Sequence, residues 1–205
     1  MDQLILISDP GRAAKEASLI NSMFAAGLSL FHMRKPEHKP EEILRLLDAI
    51  DPEYRDRVVL PFSLVQTKPS SFRECRKVHF FEQLRERTKS DYFEALRARG
   101  YTLSTSVHTV AAVAALSPAF AYTFLGPVFD SISKPGYPAM NRETLQLLPE
   151  QRKTKVIALG GIDEEHCREA LAYGFDGVAV LGAVWHRGDP LEQFKKIQQC
   201  LMNAR

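Results

Sequence analysis

Short apolar runs alternate with longer amphipathic segments from one end of the chain to the other, the pattern of βα units wound around a parallel sheet. The runs at 4–8, 28–34, 58–60, 78–81, 102–107, 122–125, 156–159 and 177–181 predict eight strands. They are continuously apolar rather than alternating, as strands buried on both faces are. Between them, mixed polar and apolar periodicity predicts helices over 13–26, 40–50, 91–99, 110–116, 142–148, 164–173 and 191–203. Asp163 stands where an N-cap belongs, Glu164 and Glu165 follow in a first turn, and Gly174 stands where the helix would end.

Eight such units in a row predict a (β/α)8 TIM barrel, and 205 residues is the short end of that fold's range. The segment between the third and fourth strands, FSLVQTKPSSFRECR, carries little helical pattern and predicts a compressed unit. No linker, low-complexity stretch or composition shift divides the chain, so one barrel domain over residues 1–205 is expected. The competing architecture is an open doubly wound sheet, whose glycine-rich turn after the first strand is replaced here by SDPGR.

Composition changes the picture in four places. A hydrophobic share of 45% against 25% charged residues excludes a disordered chain. The formal charge of +2 comes from basic residues dispersed among acids, which argues against a nucleic-acid partner. No apolar run is long enough for a membrane span, and MDQLILISDPG lacks the basic start of a signal peptide, so neither membrane nor export is expected. Cys75, Cys167 and Cys200 are odd in number and far apart, which predicts neither a disulfide framework nor a metal knuckle and points to a reducing cytoplasm.

In a barrel the chemistry gathers where strands end. After the second strand His32 and Arg34 share a face, and an Arg fork suits a phosphate or carboxylate, although a solvated rim pair reads equally well. Ser104, Ser106 and His108 project from the fifth strand, and Thr109 behind them is a candidate N-cap. The loop after the sixth strand brings Asp130, Ser131, Ser133 and Lys134, a set of donors and a cation suited to an anion and equally to an ordinary polar loop. Gly160 and Gly161 after the seventh strand, with Leu181 and Gly182 after the eighth, sit where barrels bind phosphate through backbone N–H groups; plain packing is the other reading of these glycines. Trp185 and His186 read as packing or rim residues. No zinc set, G-x-S-x-G turn or P-loop is present.

The stretches FHMRK, STSVHTVAAV, YTFLGPVFDSISKPGY, VIALGGI and GVAVLGAVW, in this order, resemble the thiamine phosphate synthase family, including its thiazole tautomerase relatives. The resemblance spans most of the chain and implies a (β/α)8 barrel acting on small phosphorylated substrates in thiamine biosynthesis, with a homodimer reasonable. In the synthase, hydroxymethylpyrimidine diphosphate loses pyrophosphate and the thiazole nitrogen captures the resulting cation, with Mg²⁺ on the diphosphate. The resemblance places Arg34, Ser106, Ser131, Ser133 and Lys134 around the diphosphate, and Gly160, Gly161 and Gly182 around the thiazole phosphate. It also departs from the pattern. The synthase's Gln, Arg and Lys after the second strand become His32, Arg34 and Pro36, its Asn-Asp pair falls on Pro61 and Phe62, and its next Asp falls near Leu84. Mg²⁺ is therefore expected for a true synthase without identifiable ligands here, and no metal otherwise. The tautomerase relative carries an S-V-H signature like Ser106, Val107 and His108, and its proton transfer needs only a histidine and one phosphate site. A barrel that binds a thiazole or thiamine phosphate without turning it over is the third expectation.

Overall fold

The computed structural model describes residues 3–11, 15–130, 139–145 and 152–203. Its strands are β1 (Gln3–Ile7), β2 (Leu30–His32), β3 (Val58–Pro61), β4 (Lys77–Phe80), β5 (Thr102–Val107), β6 (Phe120–Leu125), β7 (Lys155–Leu159) and β8 (Gly177–Val180). Each pairs in parallel with the next, and β8 returns to β1 through Leu4 opposite Val178 and Leu6 opposite Val180, so the barrel closes. Closure removes the sheet edges that an open doubly wound sheet would leave.

Helices follow the strands: α1 (Glu16–Ala25), α2 (Pro40–Asp48), α3 (Phe62–Thr67), α4 (Glu82–Arg87), α5 (Ser90–Ala98), α6 (Val110–Ala114), α7 (Arg142–Leu145), α8 (Cys167–Ala172), α9 (Gly182–Trp185) and α10 (Pro190–Met202). The Thr109 hydroxyl caps α6 by accepting from Ala112 N–H, and the Asp189 carboxylate does the same for α10 from Glu192 N–H. Asp163 accepts from the N–H groups of Glu165 and His166, but these residues form a turn, and α8 begins only at Cys167. Gly174 closes that helix at φ +85°, a conformation that L side chains rarely adopt. The compressed unit after β3 consists of the single six-residue helix α3 and turns. α4 and α9 have no counterpart in the periodicity, because each is too short for a 3.6-residue repeat to show. A 3₁₀ segment, Pro52–Arg57, leads into β3.

The cysteine expectation is corrected. Cys167 on α8 and Cys200 on α10 form a disulfide, because these helices pack together although 33 residues separate their cysteines. Cys75 remains free and buried, and burial pushes its thiol up to about 11.

Two apolar layers result. The larger lies between barrel and helices; its aromatic centre is Phe80, fully buried, stacked on Phe62 at 4.3 Å and edge-on to Phe93 at 5.2 Å. The smaller fills the barrel interior with Ile5, Ile7, Leu30, Val59, Phe124, Ile157 and Ala179. Toward the mouth that filling turns polar. His32 Nε2 lies 2.6 Å from the Tyr122 hydroxyl, His79 Nδ1 lies 3.0 Å from Ser104 Oγ, and His79 Nε2 lies 3.1 Å from Ser106 Oγ. Ser104 Oγ in turn donates to Val78 O.

A register shift brings Tyr122 into this cluster. Leu103 pairs with Phe120, yet the next residue, Ser104, pairs with Tyr122, so Ala121 is the extra residue of a bulge. Side chains alternate along a strand, so the bulge exchanges the two faces of β6 beyond it. Phe120 therefore packs outward among the helices while Tyr122 and Phe124 turn into the barrel beside Ser104 and Ser106.

Burial sets the charge state of this cluster. It is the main cause holding His32 well below the ordinary imidazole range, with His79 as a second cause. His79 is pushed down to about 3 by burial and then by the Arg34 and Arg85 charges. Burial also raises the Tyr122 phenol, so the phenol keeps its proton.

Two predictions follow from this packing. Replacing Phe80 with Ala removes the centre of the aromatic layer and should destabilise the fold by about 3–5 kcal/mol in chemical denaturation. The unfolded chain protonates His79 near 6.5 and the native one only near 3. Between those values the unfolded state binds more protons, so stability is whole above about pH 6.5 and drains away as the pH falls toward 3. The slope should approach about 1.4 kcal/mol per pH unit for each such histidine, and His79→Phe should remove one histidine's share.

Candidate active site

At the carboxyl ends of the strands lies a cavity of about 570 Å³. Its walls include His32, Arg34, Ser106, His108, Gly160, Gly161, Leu181 and Gly182, eight candidate residues arriving from β2, β5, β7 and β8. Ser131, Ser133 and Lys134 lie outside the described residues. Ile7, Val59, Phe124, Leu159 and Ala179 give the cavity an apolar floor, the usual composition of a pocket that takes a heterocycle and fixes it with few polar groups.

Arg34 is exposed, and its guanidinium carbon sits 5.9 Å from the centre of the Phe81 ring. Its backbone is fixed to β1, since Arg34 N–H donates to Ser8 Oγ and Ser8 Oγ–H donates to Arg34 O. Lys35 next to it is buried and turns the other way. Its ammonium donates to Glu16 Oε2 at 2.7 Å and to Gly11 O, tying down the loop after β1. Of the two cations after the second strand, only Arg34 faces the cavity.

His108 lies one residue beyond β5 with most of its side chain exposed. Its Nδ1 is 2.9 Å from Gly126 O. A carbonyl only accepts, so Nδ1 carries a proton, and Nε2 stands 3.8 Å from Glu82 Oε2. Glu82 opens α4 and is held by Arg85, which also donates to the Ser106 carbonyl and to Thr105 Oγ1. An imidazole with one fixed N–H and a carboxylate behind its free nitrogen is equipped to take up a proton and stabilise it.

The glycines after β7 are required by packing as well as by any ligand. Gly160 and Gly161 have φ of +96° and +65°, and a Cβ on Gly160 would stand 2.8 Å from Pro127 Cα. A Cβ on Gly161 would stand 2.7 Å from Asp130 O. The turn therefore lies directly against the loop after β6, which starts at a cis Gly126–Pro127 bond. Arg187 and His186, just past α9, complete this corner. Arg187 donates to Asp163 Oδ2, and His186 Nε2 lies 2.6 Å from Asp9 Oδ2. His166 with Arg187 holds the Asp163 carboxyl below its usual range against the opposing effect of burial.

A divalent cation does not fit the described residues. Among them no three His, Cys, Asp or Glu side chains converge. Pro61 is part of the cavity wall, Phe62 is buried on Phe80, and Leu84 packs against the core, so the positions the resemblance assigns to metal carboxylates are apolar. Glu82 and Asp163, the carboxylates on the cavity wall, already face Arg85 and His108, and His166 and Arg187.

His79, Tyr122 and Arg187 are the site's least advertised members. His79 and Tyr122 sit inside runs that read as plain buried strand; a histidine in a strand buried on both faces is itself the signal. Arg187 follows a helix too short to register.

A family profile described as thiamine monophosphate synthase matches residues 4–184. The thiamine-phosphate synthase of Anoxybacillus flavithermus is 29% identical over 106 residues, 50% of this chain and 49% of that protein. That of Streptococcus suis is 37% identical over 76 residues, 36% of this chain and 33% of that protein. The chain thus spans half or less of the length of these curated relatives. Among solved structures, thiamine phosphate pyrophosphorylase from Bacteroides thetaiotaomicron superposes over 98% of both chains with a TM-score of 0.76 and 25% identity. The barrel, its strand-end cavity and a profile running through nearly all of it agree, and the chain belongs to the thiamine monophosphate synthase family.

Proposed function

We propose that this protein is a transferase that joins hydroxymethylpyrimidine diphosphate to a thiazole phosphate, releasing pyrophosphate and forming thiamine phosphate. The observation that carries the reading is that one cavity is lined by Arg34 and Ser106, by the glycine turns after β7 and β8, by Arg187 and by apolar side chains. In this reading Arg34, Ser106, Ser131, Ser133 and Lys134 hold the diphosphate. Gly160, Gly161, Leu181 and Gly182 hold the thiazole phosphate, and His32 with Phe124 flanks the heterocycles. As the bond to the diphosphate breaks, negative charge grows on the leaving oxygen. A cation already aimed there lowers the barrier because it need not reorganise. Arg34 and Lys134 have that task. Mg²⁺ belongs to this reaction in the family, and the described carboxylates supply no set to hold it, so no step is assigned to it. Among the described residues no helix is long and apolar enough to cross a membrane. The proposal extends to cytoplasmic action on small phosphorylated substrates and to a homodimer.

A second reading is favoured by His108: a metal-independent proton transfer that aromatises a thiazole phosphate. His108 Nε2 removes the ring proton, Glu82 stabilises the resulting imidazolium, and the imidazolium returns the proton to the carbon at the other end of the conjugated system, leaving the ring aromatic and His108 neutral. This chemistry uses one phosphate corner and no metal, which suits the apolar Pro61, Phe62 and Leu84.

One pair of assays separates the readings. With both substrates and Mg²⁺, pyrophosphate release is expected; Arg34→Ala should slow it by roughly 100-fold, the usual effect of losing one aimed donor, while His108→Ala should retain it within a few-fold. No release above a blank rejects the transferase. Aromatisation of the thiazole phosphate, followed by NMR and abolished in His108→Ala, would establish the second reading instead.

A further inference from the structure

The serine that the transferase reading places on the diphosphate is not free to point its proton where it likes. Ser106 Oγ lies 3.1 Å from His79 Nε2, His79 Nδ1 lies 3.0 Å from Ser104 Oγ, and Ser104 Oγ lies 3.2 Å from Val78 O. Val78 O can only accept, so the chain of bonds has a direction whenever Ser104 donates to it. Ser104 then accepts from His79 Nδ1–H, His79 Nε2 is left as a lone pair, and Ser106 must donate into the ring. In that arrangement the oxygen of Ser106 shows the cavity only lone pairs. It would repel a phosphate oxygen.

The alternative reverses both imidazole bonds and gives up the one to Val78 O. With the proton on Nε2, His79 donates to Ser106, Ser104 donates to Nδ1, and the Ser106 O–H is released toward the cavity. A doubly protonated ring is not available as a third choice: His79 is nearly all buried, Arg34 and Arg85 both oppose its charge, and the His32 ring stands 5.3 Å away. Two neutral tautomers remain. They differ in what Ser106 offers a ligand.

We propose that His79 is a positioning residue whose ring tautomer sets Ser106 as an acceptor in the ligand-free barrel and as a donor when an anionic oxygen occupies the cavity. The inference rests on the reading that the cavity takes phosphorylated ligands. Without a ligand, the Nδ1–H tautomer keeps every hydroxyl of the chain bonded to protein and serves Val78 O as well. An anionic oxygen at Ser106 shifts the balance to the Nε2–H tautomer, since a donated O–H replaces a lone-pair contact. One proton leaves Nδ1 and one arrives on Nε2, both exchanged with water, and the net charge of the site does not change. The same device discriminates between ligands: a phosphate oxygen selects the second state, whereas an N–H or ammonium group leaves the first in place.

The test is heteronuclear NMR on the full chain with ¹⁵N-labelled histidine at pH 7, titrated with inorganic pyrophosphate while calorimetry records binding. The His79 signals are assigned by their loss in His79→Gln, or by their selective shift in Ser104→Ala should the first variant not fold. Expected is an Nδ1–H ring in the free protein that becomes Nε2–H as pyrophosphate saturates, with the change abolished in Ser106→Ala. Calorimetric binding with the His79 tautomer unchanged overturns this inference and leaves the anion-binding cavity standing. An Nε2–H ring already present in the free protein overturns it too. Absence of pyrophosphate binding overturns both it and the reading on which it rests.

Discussion

A closed parallel barrel has to fill its own interior, and this one fills the layer nearest the mouth with groups that are tolerable only because they hydrogen-bond to one another. His32 meets Tyr122, and His79 bridges Ser104 and Ser106. An unpartnered buried polar atom costs about 1–3 kcal/mol, so these side chains are held in place by each other as firmly as by packing. The bulge between β5 and β6 is the backbone condition for the place of Tyr122 in it. In a regular strand Tyr122 would share the outward face of Phe120, and His32 would lose its hydroxyl partner.

His32, His79 and Ser106 of this layer also line the cavity, so stability and chemistry share some of the same atoms. Neutral imidazoles at the base leave the cation work to residues higher on the rim: Arg34 beside Phe81, Arg85 behind Ser106, and Arg187 at the glycine corner. Arg85 and Arg187 are each steadied by a carboxylate, Glu82 and Asp163, so the charges around the mouth come as oriented pairs. Arg34 is fixed instead through its backbone to Ser8. Lys35 shows the other use of a cation. Turned away into a buried pair with Glu16, it fastens the loop after β1 and does not line the cavity.

The sequence revealed the barrel because continuous apolar runs and amphipathic helices are long enough to show their periods. Eight of the candidate residues, from His32 and Arg34 to Leu181 and Gly182, line one cavity for the same reason: strand ends of a barrel converge whatever the side chains are. What stayed hidden depends on distances the sequence does not carry. Cys167 and Cys200 are far apart along the chain and meet only through the packing of α8 on α10. His79 and Tyr122 are single polar letters in apolar runs, and their meaning appears only once a bulge has turned β6. The Gly160–Gly161 turn illustrates a double use: its left-handed backbone and its closeness to Pro127 and Asp130 would require glycine even with no ligand.

The central claim is that the carboxyl-terminal mouth of the barrel is one anion-binding cavity, with its glycine turns and Arg187 at one corner and Arg34 with Ser106 at another. A crystal structure of the protein soaked with inorganic phosphate tests this most directly. The account predicts phosphate inside the cavity, within hydrogen-bond distance of backbone N–H groups at Gly160–Gly161 or Leu181–Gly182. Phosphate bound only at sites outside the cavity, with the glycine corner holding water alone, would contradict it.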